Sequence, residues 1–286
     1  MDLPRVLKVS CVQLQWGAPI ERNLERALHY IRAAADEGSR VVVFPEASLT
    51  SYHFPYLVEL PDSEVQRALE LTQAAAAEAR LYAIVGSIRR TPDRFLNMAH
   101  VIAPSGEIIH EYAKIMMAGK HEQQYCRPGA KLSLFEIDGI QCTMVICRDG
   151  RHPELYRLPV MAGAQILFHP SCSSDEIEAV WWKRVSGRAQ LPVGPHTSVY
   201  HCVANTVGQD PSGRQTSSGE SFIRDPSGLP IAEAGAYQEE IITAVLDLER
   251  ADRRYVLDSL ERPEFLQPHF ARMVDEVRAR AGDPPA

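Results

Sequence analysis

Residues 40–44, Arg-Val-Val-Val-Phe, form a short run that is apolar on both faces and stops at Pro45-Glu46. A strand covered on both sides carries such a run, because inside–outside alternation disappears when neither face meets water. Before it come a strand-like segment over 6–14 and a stretch over 23–35 in which Leu24, Ala27, Leu28, Ile31 and Ala34 recur at helical spacing. A strand, a helix and a buried second strand in that order predict an α/β fold.

The alternation continues down the chain. A helix is expected over 63–79 and a strand over 81–87, and the segments 97–103 and 107–112 flank Pro104-Ser105-Gly106 as a hairpin. Periodicity then fails from 114 to 130, which predicts a long loop; a loop of that length inside a compact domain is usually functional or disordered, and the low polarity of its first half favours the former. Two strands around Asp138-Gly139 lead to Cys147, followed by a helix over 153–163, a strand over 165–169, a helix over 175–189 and a strand over 198–204. A second hairpin pairs 219–224 with 230–233 across Asp225-Pro226-Ser227-Gly228, and 240–246 closes the β part. No linker or repeat interrupts the pattern, so residues 1–286 read as a single domain with 250–286 as a charged, partly helical C-terminal extension.

Composition narrows the function classes. The 286 residues are 45% hydrophobic and 23% charged, with a formal net charge of −7, which argues against a nucleic-acid or anionic-membrane surface. No run of about 18 apolar residues is present and the start lacks a secretory h-region, so no membrane association is expected. The six cysteines form no CxxC pair, and the ten histidines show no zinc spacing beside them. A reduced, cytoplasmic protein without metal or cofactor is the simplest expectation.

The sequence holds no G-x-S-x-G, P-loop, HExxH or post-strand G-x-G-x-x-G. What remains is position: Glu46, Lys114 and Cys147 each fall just after a strand-like run, where α/β folds open into a crevice. A thiol needs a base or a positive neighbour to become a nucleophile. A buried Glu supplies the first, and a Lys could lower the thiol pKa and stabilise an oxyanion. Taken alone, a cysteine at a strand end is more often an inert core thiol than a nucleophile.

Val-Val-Val-Phe-Pro-Glu46, Tyr-Ala-Lys114 and Val-Ile-Cys147-Arg-Asp-Gly-Arg151-His-Pro-Glu154 together resemble the three ordered motifs of the nitrilase, or carbon–nitrogen hydrolase, superfamily. Supporting similarities include Cys11-Val-Gln13, Gly86-Ser87, Asn97, Pro128-Gly129, Pro170-Ser171, Ala204-Asn205, Gly219 to Gly228 and Arg262-Pro-Glu, so that roughly 6–266 is covered. The resemblance implies a four-layer α-β-β-α sandwich that pairs into a homodimer or higher even oligomer, with the C-terminal extension at an oligomer interface. It implies Glu46 as general base, Cys147 as nucleophile, and Lys114 with the Arg148 backbone N–H as oxyanion donors. Glu122 matches a further family Glu that positions substrate or transfers protons. Ser171 and Ser173 are candidate substrate contacts; Asp149, Arg151 and Glu154 are expected to be structural, the last two as an ion pair holding the nucleophile turn.

Cys147-Arg-Asp149 departs from the Cys-Trp-Glu of true nitrilases and resembles amidases and N-carbamoyl hydrolases. The expected reaction is therefore hydrolysis of a small linear amide or N-carbamoyl group through a thioester. A nitrilase and a catalytically silent binding member are the alternatives. Arg148 could bind an anionic substrate group or face solvent. Two prolines and a glycine in 190–197 should break a helix near Gln190 and reshape the pocket rim. Ser173, Trp181 and Trp182 could also line that rim, although Trp at helical spacing is more often core or dimer interface.

Overall fold

The computed structural model describes residues 6–15, 17, 19–185, 196–210, 213, 215–258 and 263–281. The expected helix end at Ala189, the rim segment 190–195 and Arg262 lie outside the described residues. In chain order the first elements are β1 (Val6–Gln15), α1 (Ile20–Asp36), β2 (Val41–Val43), α2 (Phe54–Glu59), α3 (Asp62–Ala79), β3 (Tyr82–Arg90), β4 (Phe95–Ile102) and β5 (Ile108–Ala113). Next come α4 (Lys120–Tyr125), β6 (Phe135–Ile137), β7 (Ile140–Met144), α5 (Glu154–Met161), β8 (Ile166–Pro170), β9 (Ser174–Glu176), α6 (Ile177–Val185) and β10 (Tyr200–Ala204). The chain continues through β11 (Thr206–Gln209), β12 (Gln215–Ser218), β13 (Phe222–Arg224), β14 (Pro230–Glu233), β15 (Glu240–Asp247), α7 (Arg254–Leu257) and α8 (Leu266–Ala281).

These strands form two sheets among the described residues. One runs β5-β4-β3-β2-β1-β11-β12-β9, with β15 also paired antiparallel to β1 from Val6↔Asp247 to Gln13↔Glu240. The other runs β14-β13-β10-β8-β7-β6. Side-chain alternation explains the layers. In β2, Val41 and Val43 face the second sheet while Val42, and Phe44 just after the strand, face α1 and α3. The inter-sheet core joins Val9, Val43, Ile84 and Val101 to Met144, Ile146, Phe168 and Tyr200. On the far side, Val145, Leu167 and Val199 pack against Tyr156 and Val160 of α5 and Val256 of α7. The order helix, sheet, sheet, helix is the four-layer sandwich.

Several local expectations change. The 114–130 segment is not wholly irregular, since it contains the single-turn-plus helix α4. The helix expected over 175–189 begins at Ile177, after the short strand β9. Helix α1 starts at Ile20, ahead of the expected Asn23, whose side chain is buried inside it and donates to the Leu49 carbonyl at 3.3 Å. Asn23 satisfied by a neighbouring loop removes the reason for the helix to begin there.

Candidate active site

Glu46 is positioned by a turn stitched to β3. After β2 the chain takes positive φ at Ala47 and Ser51, and Gly86 donates to Ser48 Oγ at 3.0 Å while Ile88 donates to Thr50 Oγ1 at 2.9 Å. A Cβ at Gly86 would lie 2.3 Å from the Ala47 nitrogen and 2.9 Å from the Pro45 oxygen, so only glycine lets this turn rest on the strand. The result is a carboxylate buried at the sheet's end, with its backbone N–H on the Ser171 carbonyl at 3.4 Å.

Lys114 follows β5 directly and is fully buried. Its Nζ donates to Glu46 Oε1 at 2.7 Å and to Glu122 Oε1 and Oε2 at 3.1 and 3.0 Å. Asn97 Nδ2, from the middle of β4, donates to the same Glu46 and Glu122 oxygens at 2.7 and 3.0 Å. Glu122, on α4, also accepts from the Ala118 backbone. Burial alone would lower the Lys114 pKa; the carboxylates of Glu46 and Glu122 reverse this and hold the ammonium protonated. Burial raises Glu46 above the ordinary carboxylate value despite Lys114 beside it. Two carboxylates and one ammonium leave the cluster short of positive charge.

Cys147 comes three residues after β7, opens a 3-10 turn over Cys147–Arg151, and holds φ at 45°. A left-handed conformation costs a non-glycine residue about 1–2 kcal/mol, so the surroundings must hold it. Asp149, fully buried, supplies one anchor: it accepts from the Met116 N–H at 2.7 Å, the Tyr112 hydroxyl at 2.8 Å, and the Ile115 and Ile146 N–H groups at 3.2 Å each. That carboxylate ties the nucleophile turn to the segment just after Lys114. His169 supplies another, with Nε2 2.9 Å from the Cys147 carbonyl. Cys172 links the halves: its N–H donates to Glu46 Oε2 at 3.0 Å, and its carbonyl lies 4.0 Å from Cys147 Sγ.

Burial first, and then the Glu46 carboxylate, push the Cys147 thiol up to about 12 against the pull of Lys114. Lys114 pulls the thiol pKa down as expected, but burial and the neighbouring carboxylates outweigh it. A neutral thiol beside a carboxylate of raised basicity suits attack with simultaneous proton transfer, rather than a preformed thiolate.

Glu46, Lys114, Glu122 and Cys147 thus converge from both sheets. Arg148 is half-buried and has no hydrogen bond or ion pair among the described residues. Ser171 is buried and Ser173 half-buried; Ser173 N–H donates to Asn205 Oδ1 at 2.9 Å, which fixes the strand turn below the site. Arg151 and Glu154 are both exposed and form no ion pair, because water satisfies each more cheaply than an ordered contact does; the expected brace is absent. Trp181 and Trp182 are exposed on α6, their rings edge-to-face at 5.5 Å. Among the described residues no group of three or more His, Cys, Asp or Glu is placed to hold a metal ion.

Residue-by-residue reading missed Asn97 as a bridging donor and overlooked His169 and the Cys172 N–H. Asn97 carried a signal: it stands in Phe-Leu-Asn-Met-Ala-His-Val-Ile, a strand buried along its whole length, where an amide requires partners. The Cys172 contact is a backbone donor and leaves no mark on side-chain identity.

The family model described as carbon-nitrogen hydrolase matches residues 8–254. The 2-oxoglutaramate amidase of Bacillus subtilis is 28% identical over 255 residues, covering 85% of this chain and 92% of the relative. The omega-amidase of Homo sapiens is 27% identical, over 85% of this chain and 89% of its own. Among solved structures, an amidase from Nesterenkonia sp. AN1, of the nitrilase superfamily, superposes with a TM-score of 0.77 at 20% identity, covering 94% of this chain and 99% of that one. With the motifs, the two-sheet architecture and a match over most of its length, the chain belongs to the carbon–nitrogen hydrolase family and is an enzyme of its amidase type.

Proposed function

We propose that the enzyme hydrolyses a small linear amide through a thioester on Cys147. Glu46 removes the thiol proton as Sγ attacks the carbonyl carbon. The oxyanion is held by Lys114 Nζ and by the Arg148 N–H at the start of the 3-10 turn, where the first donors lack intrahelical acceptors. Glu46 returns the proton to the leaving nitrogen and ammonia or an amine departs. Water then attacks the thioester, giving up its proton to Glu46, with Glu122 positioning Lys114 and substrate, and the acid and free thiol are released. The carrying observation is Lys114 Nζ at 2.7 Å from Glu46 and 3.0 Å from Glu122 beside the thiol. The names of the relatives support an amide substrate over a ureide or nitrile. Arg148, half-buried and without a charged partner among the described residues, is assigned to a carboxylate at the far end of that amide. Ser171 and Ser173 are assigned to the substrate's polar groups.

Intact-mass spectrometry of Lys114→Met and Glu122→Gln variants with propionamide, 2-oxoglutaramate, matching ureides and nitriles tests this. An acyl adduct on Cys147 is expected; an adduct on another residue, or ammonia release by Cys147→Ala, refutes the assignment.

We further infer one hydrolase domain over 1–286, acting as a homodimer or higher even oligomer with 250–286 at an interface. Leu266, Phe270, Met273 and Val277 give α8 an exposed apolar stripe at helical spacing, which a second copy would cover. A cytoplasmic location is supported by six unpaired cysteines, and no described helix is long and apolar enough to cross a membrane.

A further inference from the structure

Behind the nucleophile turn, on the helix-covered face of the second sheet, two histidines stand on adjacent strands. His169 of β8 approaches the Cys147 carbonyl through Nε2 at 2.9 Å, and its Nδ1 lies 3.1 Å from His201 Nε2 of β10. The rings stack at 5.3 Å with 17° between their planes, and His201 also meets Phe222 edge-on at 5.2 Å. The acceptor at one end decides every proton. A carbonyl can only accept, so His169 Nε2 carries the hydrogen. In a neutral ring His169 Nδ1 is then the acceptor, and His201 Nε2 must donate to it. That leaves His201 Nδ1 bare, and it is the ring nitrogen that is buried with no partner. Burial lowers both histidines, His169 to about 4, which fits two neutral rings.

Gly150 completes the arrangement. A Cβ there would lie 2.5 Å from His169 Cε1 and 3.1 Å from Nε2, so the glycine is required for the space the ring occupies. A bulkier residue in the nucleophile's own turn would displace the imidazole from the Cys147 carbonyl.

We propose that His201, His169 and Gly150 form a positioning relay in which a neutral imidazole chain holds the Cys147 peptide in its left-handed conformation and aims Sγ at the substrate carbonyl. The relay rests on Cys147 being the nucleophile and acts through it, without touching substrate. It accounts for the buried His201 and the half-buried His169, which the hydrolytic steps leave unused.

The test is alkylation of Cys147 by iodoacetamide, located by peptide mass mapping, together with kcat and KM for ammonia release from 2-oxoglutaramate and propionamide. His169→Phe, which fills the space but cannot donate, should slow alkylation and kcat by about tenfold or more with KM within about twofold, as expected for a misaimed group. His169→Gln, whose side-chain N–H can reach the carbonyl, should recover most of the loss. His201→Leu, which removes only the outer donor, should shift the same readouts in the same direction. Gly150→Ala should cost about as much as His169→Phe in the wild type, yet add less than about twofold to His169→Ala, where no ring meets the new methyl. Folded His169→Phe and His201→Leu proteins reacting at the wild-type rate would overturn the relay, as would a Gly150→Ala cost that is equal in both backgrounds. Alkylation of the wild type at a different cysteine would instead defeat the nucleophile assignment, so the two failures are distinct.

Discussion

Removing the Asp149 carboxylate tests whether the nucleophile turn and the lysine segment are one mechanical unit. In Asp149→Ala, four donors lose their acceptor: the Met116, Ile115 and Ile146 N–H groups and the Tyr112 hydroxyl. An unsatisfied buried donor costs about 1–3 kcal/mol. Part of that is offset, since burial already raises the Asp149 pKa and removing a buried charge relieves the desolvation cost. The Tyr112 hydroxyl can also rotate toward another acceptor. A net loss of about 4 kcal/mol is expected, within the range for breaking a buried network. Asp149→Asn keeps one oxygen for Met116 and Ile115 but turns an NH₂ toward Ile146, so about half that loss is expected. The assay is urea unfolding, with a melting shift of about 2–4 °C per kcal/mol as a check. Activity measured well below the transition should fall too, because the lost bonds join the residue before Cys147 to the residues after Lys114. An Asp149→Ala enzyme within about 1 kcal/mol of wild type and with full kcat would refute the reasoning.

Lys114→Met should cost about 3–5 kcal/mol as well as activity, since it leaves Glu46 and Glu122 buried without their shared cation; denaturant unfolding measures it. Because burial holds the Cys147 thiol at about 12, its alkylation should be slower than a free thiol's at about pH 7. The rate should keep rising about tenfold per pH unit through about pH 9, where a free thiol of pKa about 8.5 levels off. The amidase rate should decline as acid protonates Glu46, with that limb above the usual carboxylate range because burial raises the group. His169 titrates near 4 folded against 6.5 in the open chain, so the unfolded state binds the proton first. The His169 contribution to stability should fall as pH drops from about 6.5 to about 4, by at most about 3 kcal/mol. His201, also lowered by burial, adds its own slope, so His169→Phe should make the pH dependence of unfolding shallower without abolishing it. Arg250→Ala, by contrast, should change the unfolding free energy by less than about 1 kcal/mol, because the Arg250 end of its pair with Asp225 is half exposed.

The layers of the sandwich were legible because their strands are apolar on both faces. Val41 to Phe44 and Cys142 to Ile146 permit little else, and the helices between them carry clear spacing. Strands β9, β11 and β12 were not legible. Ser-Asp-Glu, Thr-Val-Gly-Gln and Gln-Thr-Ser-Ser lack an apolar face, and they exist because β1 extends past β2 and offers Leu14 and Gln15 to Thr206 and Val207. Helix α4 escaped for a similar reason: Lys-His-Glu-Gln-Gln-Tyr has no helical stripe, and Glu122 is buried by its ion pair rather than by hydrophobicity. Ordered motifs and family resemblance picked out Glu46, Lys114 and Cys147. Their electrical balance was not readable, because the thiol's pKa depends first on how deeply the fold buries it and then on how far the carboxylates and the lysine lie from it.

One residue, Asn205, separates β10 in the second sheet from β11 in the first. Its amide donates to the Ser218 hydroxyl and the Gly219 carbonyl at 3.0 and 2.7 Å and its oxygen accepts from Ser173, while its own N–H reaches Ser221 Oγ. Gln13 of β1 accepts from that same serine's N–H and hydroxyl. Packed sheets held only by apolar contacts can slide, since such contacts have no preferred register. Here base and lysine ride on one plate and the thiol on the other, so any slip would separate the reacting groups before it unfolded anything. Asn205 is the rivet through both plates, and it lets a site assembled across a seam keep the tolerance of one built on a single surface.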